Sequence, residues 1–167
     1  VTGHDGQVSI RRGSALALPF ADAAFDGAYT QNVSMNIADK AAFYAEAARV
    51  MKPGGLFVAA EYATGPGGPP LFPVPWARRP EDSYLESAEA IRRLLGEADF
   101  EVLDFRDQTA ALLDYYERAR RRIAAGGPPV LGAHVLLGAD GVERLKNSAR
   151  SVEEGRAVPV QALCRRL

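Results

Sequence analysis

GSALALPFADAAFDGAYTQNVSMNIADKAAFYAEAARVMKPGGLFVAAEY, running from Gly13 to Tyr62, holds a strand, a helix and a second strand in order. Phe25, Ala28 and Tyr29 follow the turn-like segment Pro19 to Asp22 and predict a short, mostly buried strand over Phe25 to Thr30. Asp39 is placed to cap a helix in which Ala42, Phe43, Ala45, Ala47, Val50 and Met51 recur at helical spacing, while Lys40, Glu46 and Arg49 supply charge to the other face. Lys52-Pro53-Gly54-Gly55 is expected to stop that helix, because proline cannot continue it and glycine takes the left-handed conformation that ends it. Leu56 to Ala60 reads as the next strand. This order predicts parallel neighbours joined by a right-handed crossover. In open α/β sheets ligands lie beyond the carboxyl ends of the strands, which puts Gln31 and Asn32 where ligand contacts are expected.

The rest of the chain continues the alternation. Gly65-Pro66-Gly67-Gly68-Pro69-Pro70, followed by Pro73, Pro75 and Trp76, is too rich in proline and glycine for regular structure and reads as a loop leaving a strand's carboxyl end. It is either a rigid connection with Trp76 packed beneath it or an acceptor-binding lid. The glycines lack the following Lys-Ser or Lys-Thr of a phosphate loop. Ser87 caps a helix with Ile91, Leu94 and Leu95 as its buried stripe, Phe100 to Phe105 is a strand near a sheet edge, and Ala110 to Ala125 is an amphipathic helix with Leu112, Leu113, Tyr116, Ala119 and Ile123 inward. Arg118, Arg120, Arg121 and Arg122 form its solvated face. A break at Gly126 to Pro129 leads to Val135-Leu136-Leu137; Val142 to Glu154 is a helix and Ala157 to Cys164 the closing strand, with Pro159 near its start.

Composition narrows the class. With 167 residues, 47% hydrophobic and 25% charged, one globular domain is expected. Twenty basic and twenty-one acidic residues give a net charge of −1, which leaves no electrostatic footprint for nucleic acid or an acidic membrane surface and favours small neutral partners. Cys164 is the only cysteine, so no internal disulfide or zinc thiolate cluster is expected and a reducing cytoplasmic setting fits.

Five sequence words together resemble the class I S-adenosylmethionine-dependent methyltransferases, and within them the small-molecule group that includes the ubiquinone and menaquinone biosynthesis enzymes. They are Gly13-Ser14-Ala15, Leu18-Pro19-Phe20, Ala24-Phe25-Asp26, the strand-end Gln31-Asn32, and Arg49-Val50-Met51-Lys52-Pro53-Gly54-Gly55. The similarity runs from about Gln7 to Phe105 and more loosely to the end. It implies a Rossmann-like, doubly wound α/β sheet, mostly parallel, with a carboxy-terminal antiparallel hairpin made by Ala157 to Cys164 and Phe100 to Phe105. It also implies that the amino-terminal strands, the glycine-rich cofactor turn and the ribose-binding acidic residue lie upstream of Val1, the chain opening just before the family's third strand at Gln7 to Arg12. Such a chain is expected to be the carboxy-terminal part of a longer enzyme, with an exposed central sheet edge open to its missing half or to a self-partner.

The resemblance implies S-adenosyl-L-methionine as cofactor, with Ser14 and Ala15 against the adenine and Gln31 at its methionine part. Methyl transfer from a sulfonium needs alignment and exclusion of water more than a triad, and no metal is implied. Asn32 and Asn36 after the first strand, and Trp76 in the loop, are candidates for binding a small-molecule acceptor; the alternative for the two asparagines is loop capping. Tyr62 and His134 are the catalytic candidates. His134 could serve as a general base near neutral pH, its alternative being a hydrogen-bonded structural histidine. Two functions stand on this reading: methyl transfer to a small molecule, or a non-catalytic binding or dimerisation module derived from a degenerate methyltransferase.

Overall fold

A computed structural model describes residues 6–127 and 131–167. Its sheet has four strands, β1 (Phe25–Gln31), β2 (Met51–Thr64), β3 (Phe100–Asp107) and β4 (Ala157–Arg166), in the order β1-β2-β4-β3. The helices are α1 (Lys40–Val50), α2 (Ala88–Glu97), α3 (Thr109–Gly126), α4 (Ala133–Leu137) and α5 (Gly141–Glu153).

β1 and β2 pair in parallel across α1, as the strand–helix–strand reading requires. β4 then enters between β2 and β3 and is antiparallel to both. The carboxy-terminal hairpin is therefore present, with α3, α4 and α5 between its strands. The described sheet is mixed, one parallel pair beside two antiparallel ones. Pro159 pairs with Tyr62 on one side only, since the β3 ladder stops at Asp107 opposite Val160, so its missing N–H is tolerated near the strand start.

The core lies under α1 and α2. Phe43, Tyr44, Ala48, Ile91 and Leu95 pack on Phe57, Ala59, Phe100, Val160, Ala162 and Cys164, and Phe57 stacks on Phe100 with ring centres 4.9 Å apart. Asp39 caps α1 by accepting from the Ala42 N–H at 2.9 Å, and Ser87 caps α2 by accepting from Ala90 at 3.1 Å. Each cap satisfies one of the orphan donors of a first helical turn.

Several expectations change. The helix α1 ends at Val50 before Lys52-Pro53-Gly54-Gly55 is reached, and that segment belongs to β2, where the register with β1 slips between Phe25 and Gly27. Gly55 allows the slip: a Cβ there would sit 2.7 Å from the Asp26 carbonyl oxygen. β1 is mostly exposed instead of mostly buried, with Tyr29 79% exposed, because one face and one edge of this strand meet no other part of the described chain. No strand forms at Gln7 to Arg12, where Ile10 is 94% exposed. Ile123 is exposed, because α3 stands at the rim of the sheet with no residue fully buried. Lys40, expected on the solvated face, is 4% exposed.

The proline-glycine loop is strapped to α5 and to the turn after it. Leu71 donates to Ser151 Oγ at 2.9 Å, Asn147 donates to the Pro73 carbonyl at 3.1 Å, and Arg144 reaches the carbonyls of Val74 at 2.8 Å and of Pro75. Gly65 lies so close to this turn that a Cβ would fall 2.1 Å from the Gly155 carbonyl oxygen.

Candidate functional site

A cleft of about 360 Å³ opens at the carboxyl ends of β1 and β2, against the first turns of α3 and the start of β4. Gln31, Asn32 and Tyr62 line it together with Ala60, Gln108, Leu112, Tyr115, Pro159 and Gln161. Three sequence candidates thus meet at one place. Asn32 takes a left-handed conformation with φ of 55°, which asparagine tolerates better than most side chains, and its N–H donates to Ala60 at 2.9 Å to close the ladder. The Gln31 side chain is exposed and has no hydrogen-bond partner among the described residues.

Tyr62 stacks on Trp76 with ring centres 4.9 Å apart, and the Trp76 indole N–H donates to Ser83 Oγ at 2.9 Å. Trp76 therefore backs the wall of the cleft and does not itself line it. The Tyr62 hydroxyl lies beside that of Tyr116, whose ionisation is pushed up, first by burial and then by the Tyr62 neighbour. Gln108 donates to Gln161 Oε1 at 2.9 Å across the α3–β4 side.

The other candidates stand elsewhere. Ser14 Oγ accepts from the Leu16 N–H at 3.2 Å within a tight turn, and Ala15 packs against the core; neither lines the cleft. Asn36 lies one turn beyond the rim, its N–H bonded to the Val33 carbonyl at 3.0 Å. His134 falls in α4, and its side chain lies outside the described residues.

Beneath the cleft is a feature that the pattern reading missed. Glu61, 3% exposed, accepts from Thr30 Oγ1 at 3.1 Å, from the Val33 N–H at 3.2 Å and from the Ser34 N–H at 3.0 Å. Lys40 donates from the opposite side to the carbonyls of Ser34 at 3.0 Å, Ile37 at 2.9 Å and Tyr84. The 3-10 turn Ser34–Asn36 that follows Asn32 is thus held by its amides on one ion and by its carbonyls on the other. Burial pushes the Glu61 carboxyl up, and its three donors only partly offset this; burial likewise pushes Lys40 down, against the pull of Glu86 and Glu61. The hydroxyls of Ser34 and Tyr44 lie next to this pair but make no well-formed hydrogen bond among the described residues.

A second polar lock orders the segment before β1. The Glu46 carboxylate accepts from the Leu18 N–H at 2.6 Å and from Arg49 at 2.7 and 2.8 Å, and Arg49 reaches the Phe20 carbonyl at 2.9 Å and Asp22 at 2.5 Å. The Arg49 guanidinium holds Glu46 down at about 2. Two of the five sequence words, Leu18-Pro19-Phe20 and the one starting at Arg49, are the two sides of this lock. No group of three or more side chains suited to a metal ion occurs among the described residues.

Residues 2–59 match the family model described as a methyltransferase domain. The chain is 36% identical over 107 residues to the O-methyltransferase cnsE of Penicillium expansum, covering 61% of this chain and 37% of that protein. It is 40% identical over 72 residues to the demethylmenaquinone methyltransferase of Corynebacterium kroppenstedtii, covering 43% of this chain and 29% of that one. The chain thus spans well under half the length of these curated relatives. The fold matches that of the geranyl diphosphate C-methyltransferase of Streptomyces coelicolor A3(2), solved with Mg2+, geranyl diphosphate and S-adenosyl-L-homocysteine, with a TM-score of 0.68 and 18% identity over 94% of this chain and 52% of that one. The five words and these likenesses agree: the chain is similar to class I S-adenosylmethionine-dependent methyltransferases, with a methyltransferase-domain match over residues 2–59 and a fold like theirs.

Proposed function

We propose that this chain supplies part of the cofactor pocket and most of the acceptor pocket of an enzyme that methylates a small molecule with S-adenosyl-L-methionine. The observation that carries this reading is the convergence of Gln31, Asn32 and Tyr62 on one cleft at the ligand end of the sheet.

The donor set fits the cofactor. Gln31 presents an unpartnered amide that can donate to a carboxylate and accept from an ammonium, the two groups of an amino-acid moiety. Ser14 and Ala15 are assigned to the adenine, Ser14 through its hydroxyl and Ala15 through its backbone. S-adenosylmethionine supplies a methyl group already activated on a sulfonium. The protein's own part is then to hold and align the acceptor and to keep water out. Asn32 and Asn36 orient the acceptor, Tyr62 packs against it with Trp76 bracing the ring from behind, and the strapped loop keeps that wall in place. Tyr62 and His134 are the groups assigned to take up a proton from a hydroxyl or amine acceptor. Glu61 is not, because both of its oxygens are occupied by donors.

The bare face and edge of the sheet at β1 and its neighbour β2, where Tyr29 of β1 and Leu56 of β2 are 79% and 50% exposed, are assigned to contact with further polypeptide of the same enzyme or with a second copy. No helix among the described residues is long and apolar enough to cross a membrane, and a cytoplasmic setting is proposed.

Calorimetric titration of S-adenosylhomocysteine into this chain and into the full product of its reading frame tests the proposal. Binding to the full product is expected, weakened about tenfold or more in Gln31→Ala, the cost of one hydrogen bond to a charged group. Absence of binding to both forms would leave the non-catalytic module as the function, and an unchanged dissociation constant for Gln31→Ala would remove that residue from the site.

A further inference from the structure

We infer that Lys40 is a positioning residue that fixes the Asn32 side of the cleft against the Tyr62 side, so that the two walls respond to a ligand as one unit. The inference rests on the reading of the cleft as a ligand site and assigns to that site a residue that does not line it.

The ammonium is committed to backbone. Lys40 is 4% exposed, and its Nζ donates to the carbonyls of Ser34 at 3.0 Å and Ile37 at 2.9 Å in the turn after β1, and to that of Tyr84 in the segment before α2. Its three protons thus meet three acceptors. The Tyr84 N–H in turn donates to the Met35 carbonyl at 2.9 Å. The turn and the segment are therefore joined twice, and Lys40 supplies the charged link, the stronger kind of hydrogen bond.

The segment continues to the opposite wall. Ser83 Oγ accepts from the Trp76 indole N–H at 2.9 Å, and Trp76 stacks on Tyr62 with ring centres 4.9 Å apart. Trp76 is itself held in a turn by the backbone bonds between Val74 and Ala77, both buried. One residue before Tyr62 on β2, Glu61 accepts from the Val33 and Ser34 N–H groups.

These contacts close a circuit. It runs from Tyr62 through Trp76, Ser83 and Tyr84 to Lys40, then through the turn Ser34–Asn36 to Glu61, which adjoins Tyr62 again. Successive strand residues face opposite sides of a sheet, so Glu61 and Tyr62 fasten the circuit to both faces of β2. Neither wall can shift alone without straining a bond in it. Glu61 ties the turn to β2, but only Lys40 of the two ions reaches the Tyr84 segment and, through it, the Trp76 brace.

Hydrogen exchange followed by NMR in the full product of the reading frame tests the inference, with the Trp76 indole N–H assigned by its loss in Trp76→Phe. Lys40→Met keeps the stem and removes the ammonium. It is expected to speed exchange of the Tyr84 amide and the Trp76 indole about tenfold, the loss of one hydrogen bond to a charged group, while Phe57 and Cys164 keep their rates. Ser83→Ala removes the indole's acceptor, and adding Lys40→Met to it should speed the indole no further. Should Lys40→Met not fold, Ser83→Ala alone is expected to speed the Ser34 amide, which it does not touch, roughly threefold. A Trp76 indole unmoved by Lys40→Met, equal acceleration at Phe57 and Cys164, a further acceleration in the double variant, or a Ser34 amide indifferent to Ser83→Ala would overturn the inference. Saturation with S-adenosylhomocysteine is expected to slow the Trp76 indole in the parent and not in Lys40→Met; protection that survives in the variant, or is missing from the liganded parent, also overturns it. Failure of S-adenosylhomocysteine to bind would instead remove the methyltransferase reading, and the exchange rates of the unliganded protein would still decide the role of Lys40.

Discussion

Glu61→Ala withdraws the carboxylate that three donors share, and the structure sets the size of the effect. The Val33 and Ser34 N–H groups, 3.2 and 3.0 Å from Glu61 Oε2, lose their only acceptor among the described residues. Each buried donor left unsatisfied costs about 1–3 kcal/mol, and the truncated side chain adds a small cavity, so the total is about 3–6 kcal/mol. That is a large share of the ~5–15 kcal/mol by which domains are ordinarily stable. Glu61→Gln behaves differently. Its Oε1 can keep both backbone donors while its amide donates to Thr30 Oγ1, which a hydroxyl can accept, so every group stays bonded and the buried charge disappears. The expected cost is below about 1 kcal/mol. Urea unfolding followed by circular dichroism reads both variants, the glutamine protein remaining measurable if the alanine protein does not fold. The pH dependence gives an independent readout. Because burial raises the folded carboxyl above its ordinary 4.5, protonation favours the fold: the group's contribution is full below 4.5 and is lost as pH rises through the raised value. The parent should therefore lose stability relative to Glu61→Gln over that interval and run parallel to it elsewhere. Equal destabilisation by alanine and glutamine, or an alanine variant within about 1 kcal/mol of the parent, would refute the clamp.

Two further predictions test how the sequence words act as structure. Arg49→Ala should free Leu18-Pro19-Phe20 from α1 without melting the core, seen as amide exchange at Leu18 and Ala23 that speeds up about tenfold while Phe57 and Cys164 keep their protection; uniform acceleration across the chain would mean that the lock supports the whole fold. Gly55→Ala should cost about 1–3 kcal/mol, because its Cβ would meet the backbone oxygens of Asp26 at 2.7 Å and Lys52 at 3.0 Å, neither of which can swing away as a side chain would. An unchanged urea midpoint for Gly55→Ala would show that the β1–β2 slip does not need glycine.

Much of the architecture was legible because it is local. Asp39 and Ser87 cap the helices they were expected to cap, the apolar stripe of α2 is buried at Ile91 and Leu95, and Ala157 onward closes an antiparallel hairpin with β3. The failures are residues whose environment is set by distant chain. Period-two alternation cannot reveal that a strand such as β1 has an open face, and helical spacing could not show that Lys40 turns back under Tyr84. Glu61 did leave a trace. It falls on the same strand parity as Phe57, Ala59 and Ala63, an acid in an inward register, and such a residue requires partners that alternation alone does not name.

The family words, the strand–helix–strand order and the strand-end position of Gln31 and Asn32 were set by the amino-acid sequence itself, since caps, helix stops and hydrophobic period act over a few residues. Only the tertiary structure brought Gln108, Tyr115 and Gln161 to the same cleft and closed Glu61 and Lys40 around one turn. Those groups lie far from Gln31 along the chain, and what joins them is the insertion of β4 between β2 and β3, a pairing between strands remote in sequence that no local preference encodes.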